Sequence, residues 1–432
     1  MIWNEHVECM SREQMHALQS ERLKETVSRV YHNAPFYRKK MQEMGLEPGD
    51  IRSIEDITKL PFTTKQDLRD NYPFGLCSAP ISQFVRIHAS SGTTGKPTAV
   101  PHTRKDLDMF AENVARSICC AGGTHEDIVQ VSYGYGLFTG GLGLHDGATR
   151  LGAAVIPMSG GNTRNQITLM KDFKATILGC TPSYAMFLAE ALADMGYTPD
   201  DISLRIGIFG AEPWSAEMKK KIEEGLGITA HDIYGLSEIM GPGVSCSCQM
   251  QDGLHVAEDH FYPEILNPET LKPMAEGEVG EIVFTHLTKE AMPLIRYRTR
   301  DLCTLNYAAC DCGRTNVRMG RILGRSDDML IIRGVNVFPS QIESVLLEVP
   351  EVKPQYMIII DRKGTMDTIE VQVEIDDKYF SDEIAELENI RRKIKQKLDS
   401  VLRINVKITL VEGKTIERSQ GKAKRVIDKR KI

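Results

Sequence analysis

The sequence predicts an α/β protein with a large N-terminal domain, made of parallel-rich sheets and helices plus a β-rich subdomain, and a small C-terminal α+β domain. Short apolar strands alternate with helical patterns between residues 142 and 226, which is typical of a parallel sheet covered by helices. Strand patterns dominate the next segment, and helices mix with strands near the C-terminus. At 432 residues the chain exceeds the usual size of one hydrophobic core, so two or three domains are expected.

The individual elements follow from apolar periodicity and from flanking glycine, proline and polar residues. Helical scaffold is predicted over 11–44 and 51–72. The predicted strands are 85–88, 98–100, 127–131, 154–156, 176–178, 205–209, 231–233, 281–285, 355–360, 368–375 and 406–410. The other predicted helices are 103–120, 164–173, 184–195, 216–226, 341–347 and 383–402.

The composition is that of a globular enzyme, with 41% hydrophobic and 26% charged residues. A net charge of -6 argues against general nucleic-acid binding, which needs clustered cations. No stretch approaches the length of a membrane span and the first residues do not form a signal sequence, so a cytoplasmic protein without a membrane partner is expected. Ten cysteines in such a chain are expected to be reduced, and clustered ones favour metal binding.

A polar turn lies between the strands predicted at 85–88 and 98–100. It consists of Ser90, Ser91, Gly92, Thr93, Thr94, Gly95, Lys96 and Pro97. The glycines allow close approach of the backbone, the hydroxyls donate hydrogen bonds and the lysine adds charge, which together suit a triphosphate. A P-loop is excluded because Ser90 replaces its first glycine and Pro97 replaces its magnesium ligand. A plain surface turn remains the alternative.

Two further polar segments follow strands of the predicted parallel sheet, where ligands of such sheets bind. Gly210, Ala211, Glu212 and Pro213 follow one strand, and the segment from Tyr234 to Glu238 follows the next. A carboxylate beside a polyphosphate is repelled unless a hard cation intervenes, so Glu238 is predicted to bind magnesium. A solvated acid is the alternative for Glu238.

The segment 133–141 alternates aromatic residues with glycines. Such a segment either shapes a flat apolar slot or forms a plain turn in the core.

Cysteines and one histidine cluster in the segment 244–320, which is predicted to form the β-rich subdomain. Cys248, His255, Cys310 and Cys312 are predicted to hold a structural zinc ion, because zinc takes four such ligands. Cys246 or Cys303 could replace one of them, and reduced cysteines without metal are the alternative.

These segments, taken in order with Asp301, Arg325, Asp327 and the Gly421-Lys422 pair, resemble the adenylate-forming enzymes. The resemblance implies that ATP and AMP contact the turn 90–96 and a second group of residues. That group comprises Gly210, Ala211, Glu212, Pro213, Asp232, Ile233, Tyr234, Gly235, Ser237, Asp301 and Arg325. It also implies a mobile C-terminal domain, residues 327–432, which turns about Asp327 against residues 1–326 and carries the catalytic Lys422.

Within this superfamily, the segments 133–141, 258–264, 295–301 and 333–339 resemble the phenylacetate-CoA ligase family. The resemblance implies ATP, Mg²⁺ and coenzyme A as reactants or cofactors, an aryl acetic acid as substrate and a homodimer. The implied acyl pocket consists of Tyr133, Phe138, Gly140, Ala211, Ile233 and Pro242. Another aromatic acid, transfer to a carrier protein, or a non-catalytic nucleotide-binding zinc protein are the alternatives.

Overall fold

The computed structural model describes residues 1–90, 97–328, 330–332, 335–363, 366–376, 379, 384–402, 404–418 and 423–430. The helices are α1 Glu5–Glu8, α2 Arg12–Asn33, α3 Pro35–Glu43, α4 Lys65–Asp70, α5 Arg104–Cys120, α6 Thr139–Leu151, α7 Thr163–Asp172, α8 Pro182–Asp194, α9 Ala216–Leu226, α10 Pro339–Leu347 and α11 Ile384–Leu402. Short 3₁₀ helices occur at Pro48–Asp50, Ile54–Lys59, Ile81–Gln83 and Pro199–Asp201.

The strands are short in the N-terminal half and longer near the C-terminus. They are β1 Arg86–Ala89, β2 Ala99–His102, β3 Ile128–Val131, β4 Ala154–Ile156, β5 Ile177–Cys180, β6 Ile206–Gly210, β7 Thr229–Leu236, β8 Gly241–Ser247, β9 Leu254–Val256, β10 Phe261–Leu266, β11 Gly280–His286, β12 Tyr297–Cys303, β13 Leu305–Asn306, β14 Arg318–Met319, β15 Gly324–Arg325, β16 Leu330–Ile332, β17 Val335–Val337, β18 Val352–Lys363, β19 Met366–Ile375, β20 Lys407–Val411 and β21 Val426–Asp428.

The central sheet has nine strands in the order β13-β14-β9-β8-β7-β6-β5-β3-β4. Strands β4, β3, β5, β6 and β7 run parallel, whereas β8, β9, β14 and β13 extend the sheet in antiparallel fashion. Neighbouring residues of β6 alternate between the two faces: Ile208 belongs to the core that contains α5 and α6, and Phe209 to the core that contains α8 and α9. This alternation confirms the predicted sheet between two layers of helices.

The β-rich segment 244–320 contributes to two sheets rather than to one. Strands β8, β9, β13 and β14 belong to the central sheet, and β10, β11 and β12 form a four-stranded antiparallel sheet with β15. The strands β13 to β15 are two residues long, so they carry no periodic pattern from which the sequence could predict their pairing.

The C-terminal domain has a sheet of order β20-β19-β18-β21, against which α10 and α11 pack, and a core of its own. Leu347 of α10 is buried with the core around α8 and α9, so the two domains share apolar contact.

Two details differ from the predicted elements. The helical pattern over 11–44 breaks into α2 and α3, because Ala34 precedes a proline and takes an extended conformation. Asp301 lies inside β12, a strand that is not among the predicted elements, and it pairs there with Arg325 of β15. Across the described ranges, the helices are too short or too polar to cross a lipid bilayer.

Candidate active site

A cleft with a volume of about 110 Å³ opens where β6 and β7 end. It is lined by Gly210, Ala211, Glu212, Pro213, Trp214, Asp232, Ile233, Tyr234, Gly235, Leu236, Asp301, Arg321, Ile322 and Arg325. The structure thus brings ten residues of the predicted nucleotide site together at the carboxyl ends of neighbouring parallel strands.

Close backbone contacts shape the floor of this cleft. A methyl group on Gly210 would lie 2.0 Å from the carbonyl oxygen of Ile233, and one on Gly235 would lie 1.6 Å from that of Gly241. Both positions therefore require glycine. Ala211, which follows Gly210 and also lines the cleft, has a φ of 75°, a conformation that alanine rarely adopts.

One side of the cleft is a chain of polar contacts that joins three elements. The phenol of Tyr234 donates a hydrogen bond to Oδ2 of Asp301 at 2.7 Å, and Nη1 of Arg325 donates to Oδ1 at 2.9 Å. Arg325 also donates twice to Asp327, each time at 3.0 Å. Burial and the adjacent carboxylate raise the pKa of Tyr234, so its phenol stays a donor at neutral pH. The predicted hinge residue Asp327 is thus linked through one guanidinium to Asp301, a residue of the predicted nucleotide site.

The cleft lining also includes Trp214 and Arg321, which the sequence analysis did not identify. The guanidinium of Arg321 lies 5.8 Å from the ring centre of Trp214 and donates to its carbonyl oxygen. Burial raises the pKa of the nearby Asp232 to about 6, and the charge of Arg321 partly opposes this shift. The cleft lining thus holds two cations, Arg321 and Arg325, beside three carboxyl groups, those of Glu212, Asp232 and Asp301.

Glu238 lies on the turn after β7 and is 4% exposed. Its Oε1 lies 3.2 Å from Nζ of Lys65 and accepts a hydrogen bond of 3.3 Å from the hydroxyl of Thr98. The contact with Lys65 was not predicted, because more than 170 residues separate the two in the chain. The nearby Ser237 hydroxyl lies 3.3 Å from that of Thr139 at the start of α6.

The described residues at the two ends of the predicted phosphate-binding turn lie near Glu238. Ser90 donates its backbone N–H to the carbonyl oxygen of Thr98 at 3.1 Å, and the hydroxyls of the two residues contact each other. The other predicted residues of this turn, Ser91, Gly92, Thr93, Thr94, Gly95 and Lys96, lie outside the described residues, as does the predicted catalytic Lys422.

The predicted acyl-pocket residues lie around the segment between β3 and α6. A methyl group on Gly140 would meet Phe138 at 2.5 Å and Tyr133 at 3.2 Å, so this glycine lies between the two rings. Tyr133 is buried, which raises its pKa, and Phe138 is half-buried. Pro242 of β8 pairs with Gly235, and Ala211 and Ile233 line the cleft, which brings both predicted pockets close together.

The four predicted zinc ligands converge at the antiparallel edge of the central sheet. Their ligand atoms lie within 4.8 Å of one another. The sulfurs of Cys248 and Cys310 are 3.8 Å apart, and that of Cys312 is 3.3 Å from Nε2 of His255. Nδ1 of His255 lies 3.4 Å from the carbonyl oxygen of Asn316, which leaves Nε2 to face the thiols. The alternative ligands lie elsewhere: the Cys246 thiol contacts that of Cys120, and Cys303 is buried in β12.

The chain matches two family models. The model described as AMP-binding enzyme matches residues 42–287, and the model described as AMP-binding enzyme C-terminal domain matches residues 334–430. Phenylacetate-coenzyme A ligase of Thermus thermophilus is 50% identical over 100% of both chains. The enzyme of the same name from Escherichia coli is 50% identical over 99% of this chain and 97% of its own. This chain belongs to the phenylacetate-CoA ligase family of AMP-binding enzymes.

Membership makes the protein an ATP-dependent acid–CoA ligase that acts through an acyl-adenylate. Its fold also matches 2-hydroxyisobutyryl-CoA ligase, which has been solved in several states. The postadenylation state superposes with a TM-score of 0.92 at 30% identity, and the thioesterification state with a TM-score of 0.73 at 31% identity. In both comparisons the match covers 98% of this chain and 91% of the other.

Proposed function

We propose that the protein joins phenylacetate to coenzyme A in two half-reactions. The carboxylate of the acid attacks the α-phosphorus of ATP and releases pyrophosphate; the thiol of CoA then attacks the acyl carbonyl and releases AMP. The observation that carries the proposal is the cleft at the ends of β6 and β7, in which the polar chain from Tyr234 to Asp327 lies beside the predicted nucleotide residues.

In the first half-reaction, the backbone of 210–213 and the segment 232–235 hold the adenine, and Asp301 accepts hydrogen bonds from the ribose. The phosphates extend toward Ser90, the turn 91–96 and Glu238. Negative charge builds on phosphoryl oxygens in this step, so fixed cations contribute most to the rate. Arg325, Lys65 and Lys96 supply such charge from the N-terminal domain, and Lys422 supplies it from the C-terminal domain.

Glu238 is proposed to hold magnesium. A single carboxylate together with substrate phosphates is the usual ligand set of this cation, and the buried Glu238 near the ends of the predicted turn fits it. The ion would neutralise phosphate charge. Lys65 lies 3.2 Å from the same carboxylate.

The Cys/His cluster is proposed to hold a structural zinc ion. Two sulfurs of a tetrahedral zinc, with bonds of about 2.3 Å, lie about 3.8 Å apart. The separation of Cys248 and Cys310 equals this edge and is far longer than a disulfide bond of about 2.05 Å. The contact of Nδ1 of His255 with Asn316 is the outer contact that zinc-binding histidines usually make. All four ligands come from the protein, so the site would stabilise the sheet edge without taking part in catalysis.

Phenylacetate is proposed as the acid because of the relatives' names and because the aromatic side chains of Tyr133 and Phe138 both lie next to Gly140. A substrate ring beside these side chains would gain both apolar burial and favourable ring contacts.

For the second half-reaction we propose that residues 327–432 rotate about Asp327 and withdraw Lys422, since CoA needs access to the same carbonyl. The higher TM-score against the postadenylation state supports an arrangement suited to acid activation in this structure. By family resemblance we also propose a cytoplasmic homodimer, which light scattering after size exclusion would test.

The decisive assay is acid-dependent exchange of pyrophosphate into ATP, measured over a panel of aryl and aliphatic acids. We expect phenylacetate to give the fastest exchange, and we expect net AMP formation to require CoA. Turnover without CoA in the presence of a carrier protein would favour the carrier-loading alternative. No exchange with any acid would favour the non-catalytic alternative.

A further inference from the structure

Glu212 of the cleft bonds to both domains at once. Its Oε1 accepts the backbone N–H of Ser183 at 2.8 Å, and its Oε2 accepts that of Ala423 at 2.8 Å. Ser183 lies in the first turn of α8, where the helix dipole and the N–H groups that have no partner within the helix stabilise a carboxylate. Ala423 belongs to the C-terminal domain and directly follows Lys422 in the chain.

A second carboxylate, which belongs to the C-terminal domain, bonds to the N-terminal domain across the same interface. Glu343 of α10 accepts the backbone N–H of Ser215 at 3.2 Å, and it also accepts the hydroxyl of Tyr356 at 2.9 Å. The guanidinium of Arg425, two residues after Ala423, lies 4.6 Å from the ring centre of Tyr356. In this arrangement of the domains, the segment that follows Lys422 therefore contacts Glu212 of the N-terminal domain and Tyr356 of the C-terminal domain.

We propose that Glu212 is a positioning residue for Lys422: its carboxylate holds the neighbouring amide while the acid is activated and lets it go when the small domain rotates. Consecutive Cα atoms are about 3.8 Å apart, so a bond that fixes the amide of Ala423 limits the positions open to the Cα atom of Lys422. This inference rests on the proposed role of Lys422. It assigns to Glu212 a function beyond lining the nucleotide cleft.

The test compares Glu212→Ala and Glu212→Gln with the wild type in separate half-reactions. We expect Glu212→Ala to slow single-turnover formation of phenylacetyl-AMP by about tenfold to a hundredfold, the effect of losing one hydrogen bond to a charged group. Glu212→Gln should lose less, because its amide oxygen can still accept one of the two N–H groups. The reaction of preformed phenylacetyl-AMP with CoA should keep its rate in both variants.

A matched control and a double variant separate positioning from other roles. Asp194→Asn removes an exposed interdomain ion pair with Lys414 and should leave both half-reactions unchanged. If Glu212 acts through Lys422, Glu212→Ala combined with Lys422→Ala should be no slower than Lys422→Ala alone. Additive losses, or a weaker affinity for AMP in Glu212→Ala, would overturn the inference in favour of direct nucleotide binding.

The inference and the proposed function fail in different ways. If Lys422→Ala activates phenylacetate at the wild-type rate, the proposed role of the lysine is wrong. If Lys422→Ala is slow but Glu212→Ala is as fast as the wild type, the role of the lysine stands and the inference about Glu212 is wrong.

Discussion

Gly140 lies between the rings of Tyr133 and Phe138, so Gly140→Ala is a direct test of the proposed acyl pocket. The added methyl group would lie 2.5 Å from Cε1 of Phe138 and 3.2 Å from Cδ1 of Tyr133. Non-bonded carbon atoms prefer about 3.5–4.0 Å, so the contact with Phe138 is too short by about 1 Å or more. Tyr133 is buried and cannot move easily, whereas the half-buried ring of Phe138 can rotate. The added methyl group and the displaced ring of Phe138 would then reduce the space that is proposed to hold the substrate ring.

One methyl group in a hydrophobic pocket changes specificity by about 10- to 200-fold. We therefore expect kcat/KM for phenylacetate to fall by that amount in Gly140→Ala, while the KM for ATP stays the same. Steady-state AMP release at varied phenylacetate and ATP concentrations measures both quantities.

Gly134→Ala is the matched control, because it lies in the same segment and a methyl group there would have no neighbour within 4 Å. Thermal unfolding of both variants checks that they fold. The pocket assignment is refuted if Gly140→Ala keeps the wild-type kcat/KM for phenylacetate, or if Gly134→Ala loses as much.

Three further predictions concern catalysis, metal and pH. Lys422→Ala should slow acyl-adenylate formation by about 10²- to 10³-fold and leave thioester formation from phenylacetyl-AMP almost unchanged; equal losses in both half-reactions would contradict the proposed division of roles. Metal analysis should find about one zinc per chain, and less than about a tenth of an equivalent would rule out the metal. Cys248→Ser should lower the melting temperature but leave kcat almost unchanged when it is measured well below that temperature. Burial lowers the pKa of Lys289 to about 8, against about 10.4 when unfolded. Between these two pH values the unfolded state binds more protons than the folded state. From about pH 8 to about pH 10 the free energy of unfolding of the wild type should therefore rise relative to that of Lys289→Met. Urea unfolding measures both free energies, and a difference that stays constant with pH would disprove the prediction.

Much of the fold follows from local patterns in the chain. The strands β3 to β7 and the helices between them are encoded by apolar runs and helical periodicity, and their order by itself implies a parallel sheet with its ligands at the carboxyl ends. Motif order likewise identified the nucleotide residues that line the cleft, because each motif is contiguous in the chain. Residue type and spacing predicted one cluster of four ligands, and the structure brings them together as predicted. They are Cys248, His255, Cys310 and Cys312.

Tertiary structure decided the contacts between segments that are distant in the chain. The pairing of Lys65 with Glu238, the Trp214 and Arg321 wall and the bond from Ala423 to Glu212 have no local signature, since each depends on how separate elements pack. The extension of the central sheet by β8, β9, β14 and β13 is of the same kind, because strands this short are stabilised by their neighbours rather than by their own pattern. Residue types and their order thus determined the chemistry of this protein. Packing determined which charges face the cleft and how the segment that follows Lys422 is held against it.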